Sequence, residues 1–77
     1  MPNDDDLQIR LMRAEALVLF EWLTRTDTAK LLPTDHPAEQ KVLWLLEGQL
    51  EKQLLEVFSL NYDQLVEGAR KQVDATH

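Results

Sequence analysis

Apolar residues in this chain recur every three or four positions, and this spacing constrains the fold more than any other feature. Between residues 7 and 23, a helical wheel with 100° per residue places one apolar set on an arc of about 100° that holds no charge. This set comprises Ile9, Met12, Ala16, Leu19, Phe20 and Leu23. A strand over residues 7–11, where apolar and polar residues alternate, is the competing interpretation, but the alternation stops at Met12. The pattern therefore favours helices.

Capping residues set the boundaries of the predicted helices. Residues 3–6, Asn-Asp-Asp-Asp, can accept hydrogen bonds from the free amides of a first turn. Pro37 suits the first position of a second helix, with His36 in the extended conformation of a cap residue. Asn61, followed by Gln64 three positions later, is typical of a third helix start. We predict an all-α fold, with an antiparallel helical hairpin over about residues 5–27 and 37–60 and a short third helix over about 62–73.

The second and third helices also carry apolar stripes. The stripe of the second helix consists of Val42, Leu43, Leu46, Leu50, Leu54, Val57 and Phe58. It matches the stripe of the first helix in length, so these two helices are expected to pack against each other. The inner stripe of the third helix consists of Tyr62, Leu65, Val66, Ala69 and Val73. Because the third helix is short and contains Gly68, we expect it to be the element that frays most.

The length of the chain limits how it can be stabilised. Its 77 residues form one domain, over residues 1–77, and it has no cysteine. A single small core rarely supplies more than roughly 3–5 kcal/mol, so a chain of this size usually needs additional stabilisation. Disulfides and cysteine-based zinc sites cannot provide it here. Regular helix packing and association with another chain are the two routes left.

Surplus apolar residues favour association. The first helix carries a second apolar stripe opposite its core face, and the second helix carries Trp44, Leu45 and Leu55 outside its main stripe. Gly48 lies between Trp44 and Leu55, where a glycine would let a neighbouring helix approach closely. The alternative is that Gly48 marks a kink and the outer leucines are ordinary exposed apolar residues. We predict a dimer that forms a helical bundle. The residues expected at the dimer interface, or at the contact with another partner, are Leu11, Val18, Trp22, Trp44, Gly48 and Leu55.

The charge of the chain bears on its partners. Acidic residues number 14 and basic residues 8, and each third of the chain is net acidic. No stretch offers the basic face that a nucleic acid or an anionic membrane surface requires. The longest apolar run, residues 16–20, is far shorter than a membrane span. Residues 3–6 lack the positive charge of a secretory signal, so the expected compartment is the cytoplasm.

Residues suited to catalysis or metal binding are sparse. Ser59 and His36 are predicted near opposite ends of one helix, roughly 30 Å apart at 1.5 Å per residue, so they cannot act together. Asp35, His36 and Glu39 could hold a divalent metal, but their position at a helix start favours a capping role. Gly48 and Gly68 are isolated, whereas phosphate loops need clustered glycines. We therefore expect no catalytic site, no metal and no cofactor.

The function that these features favour is that of a small cytoplasmic interaction module, an adaptor or regulator. Its expected partners are a second copy of itself and another protein, with no nucleic acid and no membrane. The first alternative is an acidic inhibitor or immunity-type protein that covers a basic surface of a target, since the net charge of −6 would steer such an association. A helix-turn-helix DNA-binding module over residues 49–73 is a weaker alternative, with only Arg70 and Lys71 as bases on its second helix.

Overall fold

The computed structural model is built from three helices. It describes residues 5–28 and 33–77, and within these ranges it contains no strand. Helix α1 spans Arg13–Thr28, α2 spans Pro37–Gln53 and α3 spans Tyr62–Thr76. A short 3₁₀ turn, Leu55–Phe58, connects α2 to α3. The predicted all-α class with three helices is confirmed, whereas the predicted bounds of the first two helices need correction.

Helix α1 begins later than the sequence predicted. Residues 5–12 lie outside any helix, so the predicted start near residue 5 is wrong, and Asn3 and Asp4 of the predicted cap lie outside the described residues. The Met12 backbone N–H donates to Glu15 Oε1 at 2.7 Å, which is the reciprocal half of a capping box. A helix over residues 5–12 would extend beyond the end of α2, and short helical segments without tertiary packing are marginal in water.

Helix α2 ends earlier than predicted. The sequence favoured a helix to residue 60, but Leu54 has φ −104° and ψ 97° and the helix stops at Gln53. The Leu54 side chain is only 2% exposed, and the turn of the backbone is what brings it into the core. The Gln53 carbonyl, which the helix end leaves unpaired, accepts from Arg13 Nη2 at 3.1 Å. Burial of one leucine and this bond from α1 together explain the break.

The starts of α2 and α3 were predicted correctly. Nδ1 of His36 accepts from the Ala38 N–H at 3.0 Å, and Glu39 Oε1 accepts from the His36 N–H at 3.2 Å. Pro37 occupies the first position of α2. Asn61 precedes α3 as expected, but its side chain makes no capping hydrogen bond. The helix therefore starts where the pattern indicated, without the capping box that the pattern implied.

The core lies mainly between α1 and α3. The buried apolar residues are Leu17, Phe20, Leu23, Leu54, Val66 and Ala69. Leu17, 3% exposed, was absent from the predicted core stripe, whereas Ile9 and Met12, which were in it, are exposed. Tyr62 and Leu65 pack against the same cluster, and Tyr62 Oη donates to Glu21 at 2.8 Å. The third helix is thus a principal wall of the core. That it frays more than the other helices stays a prediction.

Helix α2 packs against α1 less completely. None of its residues is buried, and Val42, which was predicted in its core stripe, is exposed, as is Phe58 of the 3₁₀ turn. Near its start, Gln40 Nε2 donates to Asp27 Oδ1 at 3.1 Å. At its end, Gln53 accepts from Arg13, as described above. These contacts at both ends are compatible with the predicted packing of the two helices.

Candidate interaction surface

Exposed apolar side chains are more numerous than buried ones in the described residues. Eleven large apolar side chains are exposed, against six apolar residues in the core. The exposed set comprises Leu7, Ile9, Leu11, Met12, Trp22, Val42, Trp44, Leu45, Leu55, Phe58 and Leu60. Single exposed apolar residues are normal on a protein surface, so only those that gather in one place indicate a site.

A groove gathers several of them. It has a volume of about 590 Å³ and lies between α1, α2 and the N-terminal segment, residues 5–12. Its apolar lining is Leu7, Ile9, Leu11, Ala16, Leu19, Leu46, Leu50 and Leu54. Arg13, Gln49 and Gln53 are its only polar lining residues. We call this feature the α1–α2 groove.

The walls of the groove come from residues that the sequence assigned to a closed core. Ala16 and Leu19 of α1 face Leu46 and Leu50 of α2 across it, and all four are only partly buried. The sequence identified these positions correctly as apolar stripes that face each other. It did not show that the seam between the two helices stays open.

The N-terminal segment forms the third wall but does not fill the groove. The side chains of Leu7 and Ile9 are 95% and 82% exposed, and Leu11 is exposed too. Among the described residues, the hydrogen bonds that involve this segment are those of Met12, to Glu15 and Ala16. Leu7 and Ile9 therefore line the rim of the groove with nearly their whole surface in water.

The six residues predicted at an interface do not form one cluster with the groove. Leu11 lines the groove, Val18 packs partly against the core, and Leu55 is exposed on the 3₁₀ turn. Helix α2 runs uninterrupted through Gly48, and a side chain added there would meet nothing within 4 Å. Its surface is therefore open, as a contact position requires.

Trp22 belongs to α1 and Trp44 to α2, and the indole of Trp44 contacts α1 at Asp27. Trp44 Nε1 donates to Asp27 Oδ1 at 3.3 Å. Asp27 is five residues beyond Trp22, which corresponds to about 140° around the helix axis. Both indoles are exposed, and neither lines the groove. Their role in a contact stays a prediction.

Acidic residues lie near Trp44. Burial raises the pKa of the Glu47 carboxyl, and the nearby carboxylates of Asp27 and Glu51 raise it further. Like charges raise each other's pKa only when they are close, so these three acids share one region of the surface with Trp44. This grouping was not predictable from the sequence, because Asp27 and Glu47 are far apart along the chain.

Two carboxylates make contacts at the beginning of α1. Arg13 Nε and Nη2 donate to the two carboxylate oxygens of Glu56 at 2.7 and 2.9 Å, and this contact lowers the pKa of Glu56. The pKa of Glu15 is lowered by the hydrogen bond from the Met12 N–H and then by that from His77, whose Nε2 lies at 2.7 Å. Both carboxylates thus fix the beginning of α1 to other parts of the chain.

The described residues contain no group of three or more histidine and acidic side chains placed to hold a metal ion. The imidazole Nδ1 of His36 is engaged at the start of α2, and Asp35 and His36 donate their backbone N–H groups to Glu39. The side chains of His36 and Glu39 therefore cap α2, as the sequence favoured for His36, whereas Asp35 takes part only through its backbone N–H. None of the helices in the described ranges has the length and apolar character of a membrane span.

Comparisons with protein-family models, with curated proteins and with solved structures found no match to this chain. The interpretation of its function therefore depends on the surfaces described above.

Proposed function

We propose that this protein is a small cytoplasmic protein–protein interaction module, an adaptor or regulator that works as a homodimer and has no catalytic activity of its own. The observation that carries the proposal is the α1–α2 groove, an open apolar seam in a chain whose own core is small. Exposed apolar surface of this extent in a soluble chain is typical of interaction sites.

The same observation supports the homodimer. The predicted arrangement is an antiparallel hairpin of α1 and α2 that pairs with the hairpin of a second copy. Four helices would then enclose the stripes that one copy leaves open, as in other helical bundles. The remaining exposed surface, which includes Trp22 and Trp44, is available for a different protein.

Light scattering coupled to size-exclusion chromatography tests the dimer. At tens of micromolar we expect a mass twice the 9.0 kDa of the chain. A mass equal to one chain at this concentration would contradict the homodimer. If Trp22 or Trp44 contributes to the contact, Trp22→Ala or Trp44→Ala will move the monomer–dimer equilibrium toward the monomer. If neither does, the dimer will persist in both variants.

A second candidate function is that of an acidic inhibitor that covers a basic surface. The observation that favours it is the group formed by Asp27, Glu47 and Glu51 around the exposed Trp44. An exposed indole beside several carboxylates suits a partner that offers an apolar pocket surrounded by lysine or arginine.

A pull-down from the host distinguishes this candidate. Charge reversal at Glu47 and Glu51, or about 0.5 M salt, should release a basic partner, because salt screens exposed charges. The matched control carries Glu67→Lys and Asp74→Lys, which reverse two exposed acidic residues on α3. Partners that survive both treatments would argue against the acidic-inhibitor function and leave the adaptor function intact.

A further inference from the structure

The chain exposes more surface than its mass predicts. Its accessible area is 6471 Å², whereas a compact folded protein of 9.0 kDa exposes about 4,900 Å². Its radius of gyration is 13.8 Å, against about 11.5 Å for a compact domain of the same length. A standard interface removes roughly 800 Å² from each partner. The surplus, about 1,600 Å², is more than one chain's share of such an interface.

The groove contains an apolar cavity, and it also carries exposed apolar side chains that could fill the same cavity of a second copy. Leu7 and Ile9 project from its rim almost fully exposed, beside a cavity bounded by Leu19 and Leu46. A two-fold axis requires a surface patch that complements itself, because each residue pair occurs twice across it. A patch that carries protruding apolar side chains next to an apolar cavity meets this requirement.

The charge of the groove also favours a second copy. Each chain has a net charge of −6, so two copies repel each other over most of their surface. Among the residues that the structure describes, no aspartate or glutamate lines the groove, and Arg13, the charged residue of this lining, is bonded to Glu56. This lining offers a charged partner little opposite charge to pair with, whereas it lets two acidic copies meet on an apolar surface.

We propose that the α1–α2 groove is the face on which two copies of this chain associate, with Leu7 and Ile9 of each copy seated between α1 and α2 of the other. This inference rests on the proposed homodimer and assigns its interface. It also gives the N-terminal segment a role: residues 5–12 contribute little to their own copy and complete the core of the partner copy.

A variant that carries Leu7→Glu and Ile9→Glu tests the assignment. We expect its dimer dissociation constant, measured by sedimentation equilibrium, to rise by at least about 100-fold, because two apolar side chains of each copy lose their buried site. The matched control carries Leu45→Glu and Leu60→Glu, two exposed leucines outside the groove, and should dimerise as the unchanged chain does. Circular dichroism checks that both variants keep their helices.

Disulfide trapping gives a second measurement. The chain has no cysteine, so each introduced thiol is unique. Two single variants, Ile9→Cys and Leu46→Cys, are mixed and oxidised, and we expect a crosslinked heterodimer. Ile9→Cys mixed with Leu60→Cys should give none. This measurement decides the question even if the charged variant fails to fold.

The outcomes separate this inference from the proposed function. An unchanged chain that stays monomeric overturns the homodimer and the assigned interface together. A dimer that keeps its affinity in the Leu7→Glu and Ile9→Glu variant, and that shows no crosslink between positions 9 and 46, overturns the interface alone. Loss of affinity or the specific crosslink supports the groove as the contact face.

Discussion

The two sides of α1 are packed to very different degrees. Toward α3, Leu17 and Phe20 meet Val66 and Ala69, and all four are buried. Toward α2, Leu19 and the facing leucines are only partly buried and line an open groove. The same helix therefore has one closed seam and one open seam, although its apolar residues supply both.

This difference shows that a well-defined helix is not necessarily a well-packed one. Helix α2 has the better-capped start, because the side chains of His36 and Glu39 both accept hydrogen bonds from backbone N–H groups. It nevertheless contributes no buried residue. Helix α3 lacks a side-chain cap and still supplies half of the closed seam. Caps fix where a helix begins, whereas burial depends on the area that a neighbour covers.

The largest expected effect on stability comes from truncating one leucine in each of the two seams of α1. Leu17→Ala removes a side chain that is fully inside the closed seam and should cost about 2–5 kcal/mol of unfolding free energy. That approaches the whole stability of a small domain. Leu46→Ala, in the open seam, should cost less, about 1–2 kcal/mol in the monomer, because that side chain is only partly buried.

Urea denaturation at low micromolar concentration measures both losses. Leu60→Ala is the control, since Leu60 is fully exposed and its truncation should change the midpoint little. Equal losses for Leu17→Ala and Leu46→Ala would show that the two seams are packed alike in the monomer. A loss for Leu46→Ala that grows with protein concentration would instead reflect a dimer that uses the open seam.

The parts of the fold that the sequence predicted are those set by neighbouring residues. His36, Pro37 and Asn61 mark helix starts through local geometry, and both starts are correct. The ends of the elements depend on distant residues. Helix α2 stops at Gln53 without a glycine or proline, because Leu54 turns into the core and Arg13 bonds the free carbonyl.

The candidate site was only partly predictable for the same reason. Helical periodicity identified Leu19, Leu46 and Leu50 as inward-facing, but periodicity cannot tell whether a seam closes. Extending the first helix to residue 5 placed Ile9 in the core, where it is in fact at the rim of the groove. The start of α1 could have been found from Glu15, because its carboxylate accepts a hydrogen bond from the backbone N–H of Met12, three positions earlier.

Substituting alanine for the two helical glycines is expected to have a smaller effect on stability. An added methyl group meets nothing within 4 Å at Gly48 or Gly68. Gly68→Ala and Gly48→Ala should therefore each stabilise the monomer by about 0.4–1 kcal/mol, since alanine loses less backbone entropy in a helix. If Gly48 is a contact position, Gly48→Ala will weaken the dimer at the same time. Gly68→Ala controls for the helix effect, and thermal unfolding and sedimentation equilibrium measure the two quantities.

The smallest effect is expected where the two sides of α1 meet, at the ion pair between Arg13 and Glu56. Arg13 lines the groove and also borders the side of α1 that faces α3. The two side chains are 56% and 21% exposed, so solvent screens the pair and its contribution should stay below about 1 kcal/mol at neutral pH. Glu56→Gln removes this contribution, and urea midpoints at several pH values measure it.

The pH dependence has a defined sign. Arg13 lowers the pKa of Glu56 in the folded state, so the unfolded chain takes up a proton first as the pH falls. The stability that the pair contributes is complete above the unfolded pKa of about 4.3 and disappears as the pH falls through the lowered value. The unchanged chain and Glu56→Gln should therefore differ at pH 7 and converge in acid. Glu67→Gln removes the same charge from a pair within α3, and a matching convergence there would show that net charge, rather than the contact with α1, causes the effect.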